Sequence, residues 1–115
     1  MTPTKRRKRP VKAATRHAKL RKEGIAALGG YDVVLAQQGG GCAICGRPPK
    51  PGGLRLNIDH DHVTGNVRGL LCAPCNRMLG WAKDIPFVLD AGATYLRYGY
   101  AASCVYRDSL RGVTP

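Results

Sequence analysis

Two Cys-x-x-Cys pairs, Cys42-Ala43-Ile44-Cys45 and Cys72-Ala73-Pro74-Cys75, constrain this chain more than any other feature. Zn²⁺ takes four tetrahedral ligands in structural sites, and two such pairs supply four thiolates. The segment between them is the size of one hairpin. The competing readings are two disulfides or a redox pair. The basic N-terminus is followed by no apolar stretch of the kind a secretory signal needs. A reducing cytoplasm of a host cell is therefore expected, where such cysteines bind metal more often than they cross-link. Cys104 stands apart and reads as a small, partly buried core residue. With 115 residues there is room for one small domain, near the size at which a core alone stabilises poorly, so a metal staple is useful.

Charge points to the partner. The chain holds 19 Lys+Arg against 7 Asp+Glu, a net charge of +12, which favours a polyanion. No apolar run approaches membrane-spanning length, so no membrane partner is expected. The charge crowds residues 1–22, in Lys5, Arg6, Arg7, Lys8, Arg9, Lys12, Arg16, Lys19, Arg21 and Lys22. Such a block repels itself and is expected to be a flexible arm tracking nucleic-acid phosphates, helical near its end, where Lys19-Leu20-Arg21-Lys22 are good helix formers. A localisation signal or a solubilising tail are its rival readings. His17 lies inside the block with nothing at metal-ligand spacing, and reads as incidental.

Residues 23–115 form the expected domain. Gly29-Gly30 breaks the chain before a short helix, Tyr31 to Gln38, with Tyr31, Val34 and Leu35 on one face. Leu54, Leu56 and Ile58 alternate with Arg55 and Asn57, which predicts a strand delivering Asp59 and His60 at its end. Thr64-Gly65-Asn66 is a turn, and Val67 to Leu71 a return strand. The second cysteine pair opens a helix, with Pro74 tolerated in its first turn. Asp84 is expected to cap a last helix from about Ile85 to Tyr98, stopped by Gly99, with a buried stripe of Phe87, Val88, Ala91, Tyr95 and Leu96. The residues beyond carry no clear pattern.

Asp59-His60-Asp61-His62 and Asn76 lie on this ββα frame. Neighbours on a strand diverge, so of Asp59 and His60 one can hold a metal while the other faces a water. A carboxylate and an amide oxygen are hard ligands suited to Mg²⁺ or Mn²⁺. A neutral histidine beside them can take a proton from water. That is equipment for metal-assisted phosphodiester hydrolysis. The bland alternative is a surface turn, or histidines serving as spare zinc ligands, but four cysteines already saturate zinc.

Cys42-Ala-Ile-Cys45, Ile58-Asp-His-Asp-His62 and Val67-Arg-Gly-Leu-Leu-Cys72-Ala-Pro-Cys75-Asn76 together resemble the recombination endonuclease VII family. That family belongs to the His-Me finger (HNH-type) nucleases and is common in bacteriophages. The resemblance runs from about Tyr31 to Leu79. It implies a small α+β fold with a ββα-metal core, a four-cysteine zinc and flanking helices. It implies that Asp59 and Asn76 bind catalytic Mg²⁺, with Mn²⁺ able to substitute. His60 would be the general base, His62 would contact the scissile phosphate, Asp61 would support the site, and Arg68 would contact phosphate. The activity implied is DNA endonuclease, of the branched-DNA (Holliday junction) resolving type. The alternatives are a nicking or homing HNH nuclease without branch preference, and a non-catalytic zinc-knuckle nucleic-acid-binding module. The chain departs from the family pattern at Leu79, where an acidic residue stands in the family, and in a shorter stretch after Asn76. A homodimer through the C-terminal helix is expected.

Overall fold

A computed structural model describes residues 11–53 and 55–110, with side chains described from Arg16 to Ser109. Lys5, Arg6, Arg7, Lys8 and Arg9 lie outside the described residues, as does the side chain of Lys12. The chain separates into two compact units, Met1–Cys75 and Asn76–Pro115.

The first unit opens with α1, Val11–Ala27. The helix expected near the end of the basic stretch begins earlier, at Val11, and is built from good helix formers such as Ala13, Ala14, Lys19, Leu20, Arg21 and Lys22. Gly24 interrupts these formers at a cost of roughly 1 kcal/mol relative to Ala. It is there because α1 packs closely on the hairpin: a Cβ at this position would collide with Val67 Cγ2. Gly29 and Gly30, at φ 103° and 102°, end the helix. Helix α2, Tyr31–Gln37, follows, and the antiparallel hairpin of β1, Asn57–His60, and β2, Val67–Leu71, completes the unit. Ile25, Val34, Leu56 and Leu70 form the core, with Tyr31, Leu35, Ile58 and Val67 packed against it.

Leu54, in the predicted strand, lies outside the described residues, and the observed strand begins at Asn57. Leu56 is buried but precedes the strand, and its N–H donates to the Tyr31 hydroxyl at 2.9 Å rather than to a neighbouring strand. Arg55 stacks on the same ring at 3.8 Å. On the other side of the hairpin Gln38 acts as a surrogate strand. Its amide accepts from Leu70 N–H at 2.8 Å and donates to the Leu70 carbonyl at 3.0 Å and the Gly41 carbonyl at 2.9 Å. Gln38→Ala leaves these half-buried groups without that partner. The expected loss is about 1–3 kcal/mol, read as a melting-temperature drop of several degrees. An unchanged melt would show that solvent replaces the amide at no cost.

The second unit is helical. Helix α3, Ala73–Trp81, begins in the first unit and runs into it, followed by α4, Pro86–Tyr98, and α5, Tyr100–Leu110. Asp84 does not cap α4; the N-cap is Ile85, with no side-chain cap bond. Asp84 belongs to the end of α3: Lys83 and Asp84 adopt φ 54° and 56°, and Asp84 N–H donates to the Leu79 carbonyl at 2.9 Å. Aspartate tolerates this left-handed conformation better than most residues, and Pro86 starts the next helix from its first turn. Gly99 ends α4 at φ 89°, as expected. The featureless tail is α5, which packs on α4 through Ser103 Oγ to the Ala91 carbonyl, 2.9 Å, and Tyr106 Oη to Asp90 Oδ2, 3.2 Å. Phe87 and Ala91 are half-buried, while Val88, Tyr95 and Leu96 are exposed, so only part of the predicted stripe is covered. No described helix is long and apolar enough to cross a membrane.

Candidate metal centre and active site

Cys42, Cys45, Cys72 and Cys75 converge, with their sulfurs all within 4.8 Å of one another. None of the four is joined to another by a disulfide. The convergence has a local cause. After α2 the chain turns through glycines, and the first pair forms a tight loop closed by Cys42 N–H to the Arg47 carbonyl, 2.9 Å, and Gly46 N–H to the Cys42 carbonyl, 2.9 Å. Ala43 N–H then donates to the Leu70 carbonyl at 3.0 Å, pinning this loop to β2, after whose end comes Cys72. Sulfurs on a tetrahedron around zinc lie about 3.8 Å apart; Cys45 Sγ and Cys72 Sγ are 3.6 Å apart.

The thiols are unequal. Burial pushes Cys42 up, but N–H groups of Cys45, Cys72 and Ile44 stabilise its thiolate and bring it down to about 6. Cys75 is pushed up to about 12 by burial and then by the neighbouring thiols of Cys72, Cys42 and Cys45. Sulfurs packed this closely cannot all ionise alone, and a divalent cation resolves the conflict. The residues therefore fit a structural zinc.

The hairpin supplies the second group. The pairing slips between Asp59, opposite Gly69, and His60, opposite Val67, leaving Arg68 as a bulge. Bulges re-aim side chains, and here Arg68 grips Asp59 with both nitrogens: Nε to Oδ2 at 2.7 Å and Nη2 to Oδ1 at 3.2 Å. Asp59 is buried, so the guanidinium keeps a desolvated carboxylate paired. Asp61 organises the turn that follows. Its Oδ1 accepts from Val63 N–H at 2.7 Å and Thr64 N–H at 3.1 Å, and its own N–H donates to the Asn66 carbonyl at 2.8 Å. Those backbone donors at Thr64 and Val63 hold the Asp61 carboxyl below its ordinary range. Asn76 directly follows Cys75 on α3 and is exposed.

His60 is only 6% exposed. Its pKa is lowered, first by burial, then by the charges of His62, Arg21 and His17, against a smaller opposing pull from Asp59. Burial thus favours the unprotonated imidazole. His17 is not incidental. Docking of α1 on the hairpin brings His17 Nδ1 to 3.2 Å from His60 Nε2. The His60 and His62 rings are 4.7 Å apart, and His17 to His62 is 6.1 Å. Arg16 and His17 line a groove of ≈ 520 Å³ with His62, Val63 and Thr64. Sequence reasoning missed the roles of His17 and Gln38. The signal for His17 was present: His17, Leu20, Gly24 and Leu28 recur at helical spacing and mark the face that docks.

A family model described as recombination endonuclease VII matches residues 16–98, a span that takes in His17 as well as both cysteine pairs. The chain belongs to the recombination endonuclease VII family. It is similar to the gene 59 protein of Mycobacterium phage D29, 48% identical over 92 residues, covering 73% of this chain and 55% of that protein. It is also similar to the gene 59 protein of Mycobacterium phage L5, 58% identical over 55 residues, covering 47% of this chain and 33% of that protein. The chain thus spans about half or less of the length of these relatives. No solved structure matches.

Proposed function

We propose that this chain is a Mg²⁺-dependent DNA endonuclease with a His-Me finger centre, hydrolysing phosphodiester bonds in branched DNA. The observation that carries the reading is His60: a buried imidazole, its pKa lowered by burial, beside a buried carboxylate, at the tip of a hairpin followed by a helix, in a member of this family. The donor chemistry fits the metal. Asp59 and Asn76 offer hard oxygens, and they are the residues that would hold Mg²⁺. When bound, it would supply charge neutralisation at a scissile phosphate oxygen and the leaving 3′ oxygen.

The chain's own residues do the rest. His60 takes a proton from water as the water oxygen attacks phosphorus in line. The P–O3′ bond breaks, the 3′ oxygen gains a proton, and the products are a 5′-phosphate and a 3′-hydroxyl. His62, exposed on the groove, contacts the phosphate. Arg68 holds Asp59 and adds positive charge beside the reacting phosphate. Arg16, Lys19, Arg21 and Lys22 on α1, together with Lys5, Arg6, Arg7, Lys8, Arg9 and Lys12, attract the DNA backbone. Resolution of a branch takes two opposed cuts, and so a homodimer. The exposed Val88, Tyr95 and Leu96 of α4 are the surface we assign to it.

These roles set the pH and salt behaviour. Cleavage rate against pH should rise through an acid limb lying below 6.5, the ordinary histidine value, because the factors that lower the His60 pKa preserve its unprotonated form further into acid. A limb displaced above that value would argue against His60 as base. Deleting residues 1–10 should weaken binding to every DNA sequence alike. It should also flatten the salt dependence by about 0.9 for each phosphate no longer neutralised. This truncation spares α1, whereas removing residues 1–22 would take His17 and much of the helix that docks on the hairpin. Equal affinity and salt slope in the truncated protein would assign the segment another purpose. Comparison of linear, nicked and four-way DNA as substrates decides between branch resolution and simple nicking.

A further inference from the structure

We propose that His17, His60 and His62 form a second metal site, selective for borderline transition cations such as Zn²⁺, Ni²⁺ and Co²⁺. The three imidazoles come from different places in the chain: α1, the end of β1 and the turn after it. Only the docking of α1 unites them, and it does so with their ring nitrogens within 4.8 Å of one another. Two imidazole nitrogens bound to one tetrahedral zinc lie about 3.3 Å apart. His17 Nδ1 and His60 Nε2 are already 3.2 Å apart. A cation fits between these two nitrogens, and a ring rotation of the exposed His62 supplies the third ligand. Three protein nitrogens with the fourth position facing a groove is the pattern of an open site rather than a closed structural one.

The ligand chemistry separates this site from the other two. Imidazole nitrogen suits Zn²⁺, Ni²⁺ and Co²⁺ and is a poor match for Mg²⁺, which seeks oxygen. The four cysteines prefer zinc and hold it in a closed shell. Arg16 and Arg21 place positive charge nearby, so the fourth ligand is expected to be an anion, either hydroxide or a phosphate oxygen from the groove. The consequence concerns activity and rests on the reading of His60 as general base. A transition cation consumes the lone pair that His60 would use on water, so its binding turns the nuclease off. Bound Mg²⁺ leaves that lone pair free.

The test uses the full chain with its cysteine site loaded with zinc. Titration with Co²⁺ should reveal one further equivalent, seen as visible d–d absorption without thiolate charge-transfer bands. His17→Ala should weaken that binding by on the order of 10–100-fold, the scale at which changes around a metal-bound histidine are felt. His62→Ala should do the same. His17 and His62 are both exposed, so these variants should fold, and an unchanged melt of the metal-free proteins checks this. In the cleavage assay with Mg²⁺ present, added Zn²⁺ should inhibit the wild type. Inhibition of His17→Ala, measured against its own zinc-free rate, should require correspondingly more zinc. No uptake beyond the cysteine site, or uptake that both variants leave unchanged, would overturn the proposal. If the cobalt equivalent binds and depends on His17 while no Mg²⁺-dependent cleavage exists, the metal site stands and the nuclease reading falls.

Discussion

Replacing Cys42 or Cys75 with serine should unfold the first unit at ordinary temperature. Both sulfurs are buried, Cys42 at 2% exposure and Cys75 at 8%, and they join elements distant in sequence. Cys42 sits on the loop pinned to β2 by Ala43, and Cys75 on the first turn of α3. A structural zinc contributes on the order of 10 kcal/mol to such small folds, comparable with the whole stability of a typical domain. The first unit has few other reserves. Among the described residues its buried apolar side chains are few, and its sheet has two strands. A two-stranded hairpin is marginal by itself. Circular dichroism and melting read the outcome, and a strong chelator on heating should reproduce it. A serine variant that melts like the wild type would show that the cysteines gather without a structural ion.

The second large effect is at His60. His60→Ala should retain the fold and DNA affinity but lose on the order of 10²–10⁴ in cleavage rate, the scale of general-base loss. The side chain is buried among other histidines at the hairpin tip, so the melting temperature and DNA affinity of the variant are measured beside its rate. Near-normal cleavage by this variant would remove it from the mechanism. Asp59→Ala is a less clean probe, because it removes the Arg68–Asp59 ion pair together with the proposed metal ligand.

What could be read from residues alone was what is local. The paired Cys-x-x-Cys spacing announced a four-sulfur site, the run Val67 to Leu71 a strand, and Gly99 a helix end, because each depends on neighbours in sequence. The failures were tertiary. Leu56 alternates like a strand residue, yet the Tyr31 hydroxyl takes its N–H, so the strand starts at Asn57. The bulge at Arg68 leaves no sequence signature, although it decides that Arg68 meets Asp59. Asp84 looks like a cap for the helix after it and instead ends the helix before it. His17 was hidden by the density of lysine and arginine around it. Its partner is 43 residues away, and only packing of Gly24 against Val67 reveals the alignment. Sites assembled by docking one helix on another element are legible once the docking face is recognised. In α1 that face is marked by a small residue where a good helix former would otherwise stand.

The function turns on whether the hairpin tip hydrolyses DNA with His60 as base. The most direct measurement incubates zinc-loaded protein with an end-labelled four-way DNA, with and without Mg²⁺, and compares wild type with His60→Ala. The expected result is cuts only with Mg²⁺, products bearing 5′-phosphate and 3′-hydroxyl ends, and loss of those cuts in the variant with junction binding retained. DNA bound tightly but left intact by the wild type at every Mg²⁺ or Mn²⁺ concentration would contradict it, and would make this chain a zinc-stabilised nucleic-acid-binding module.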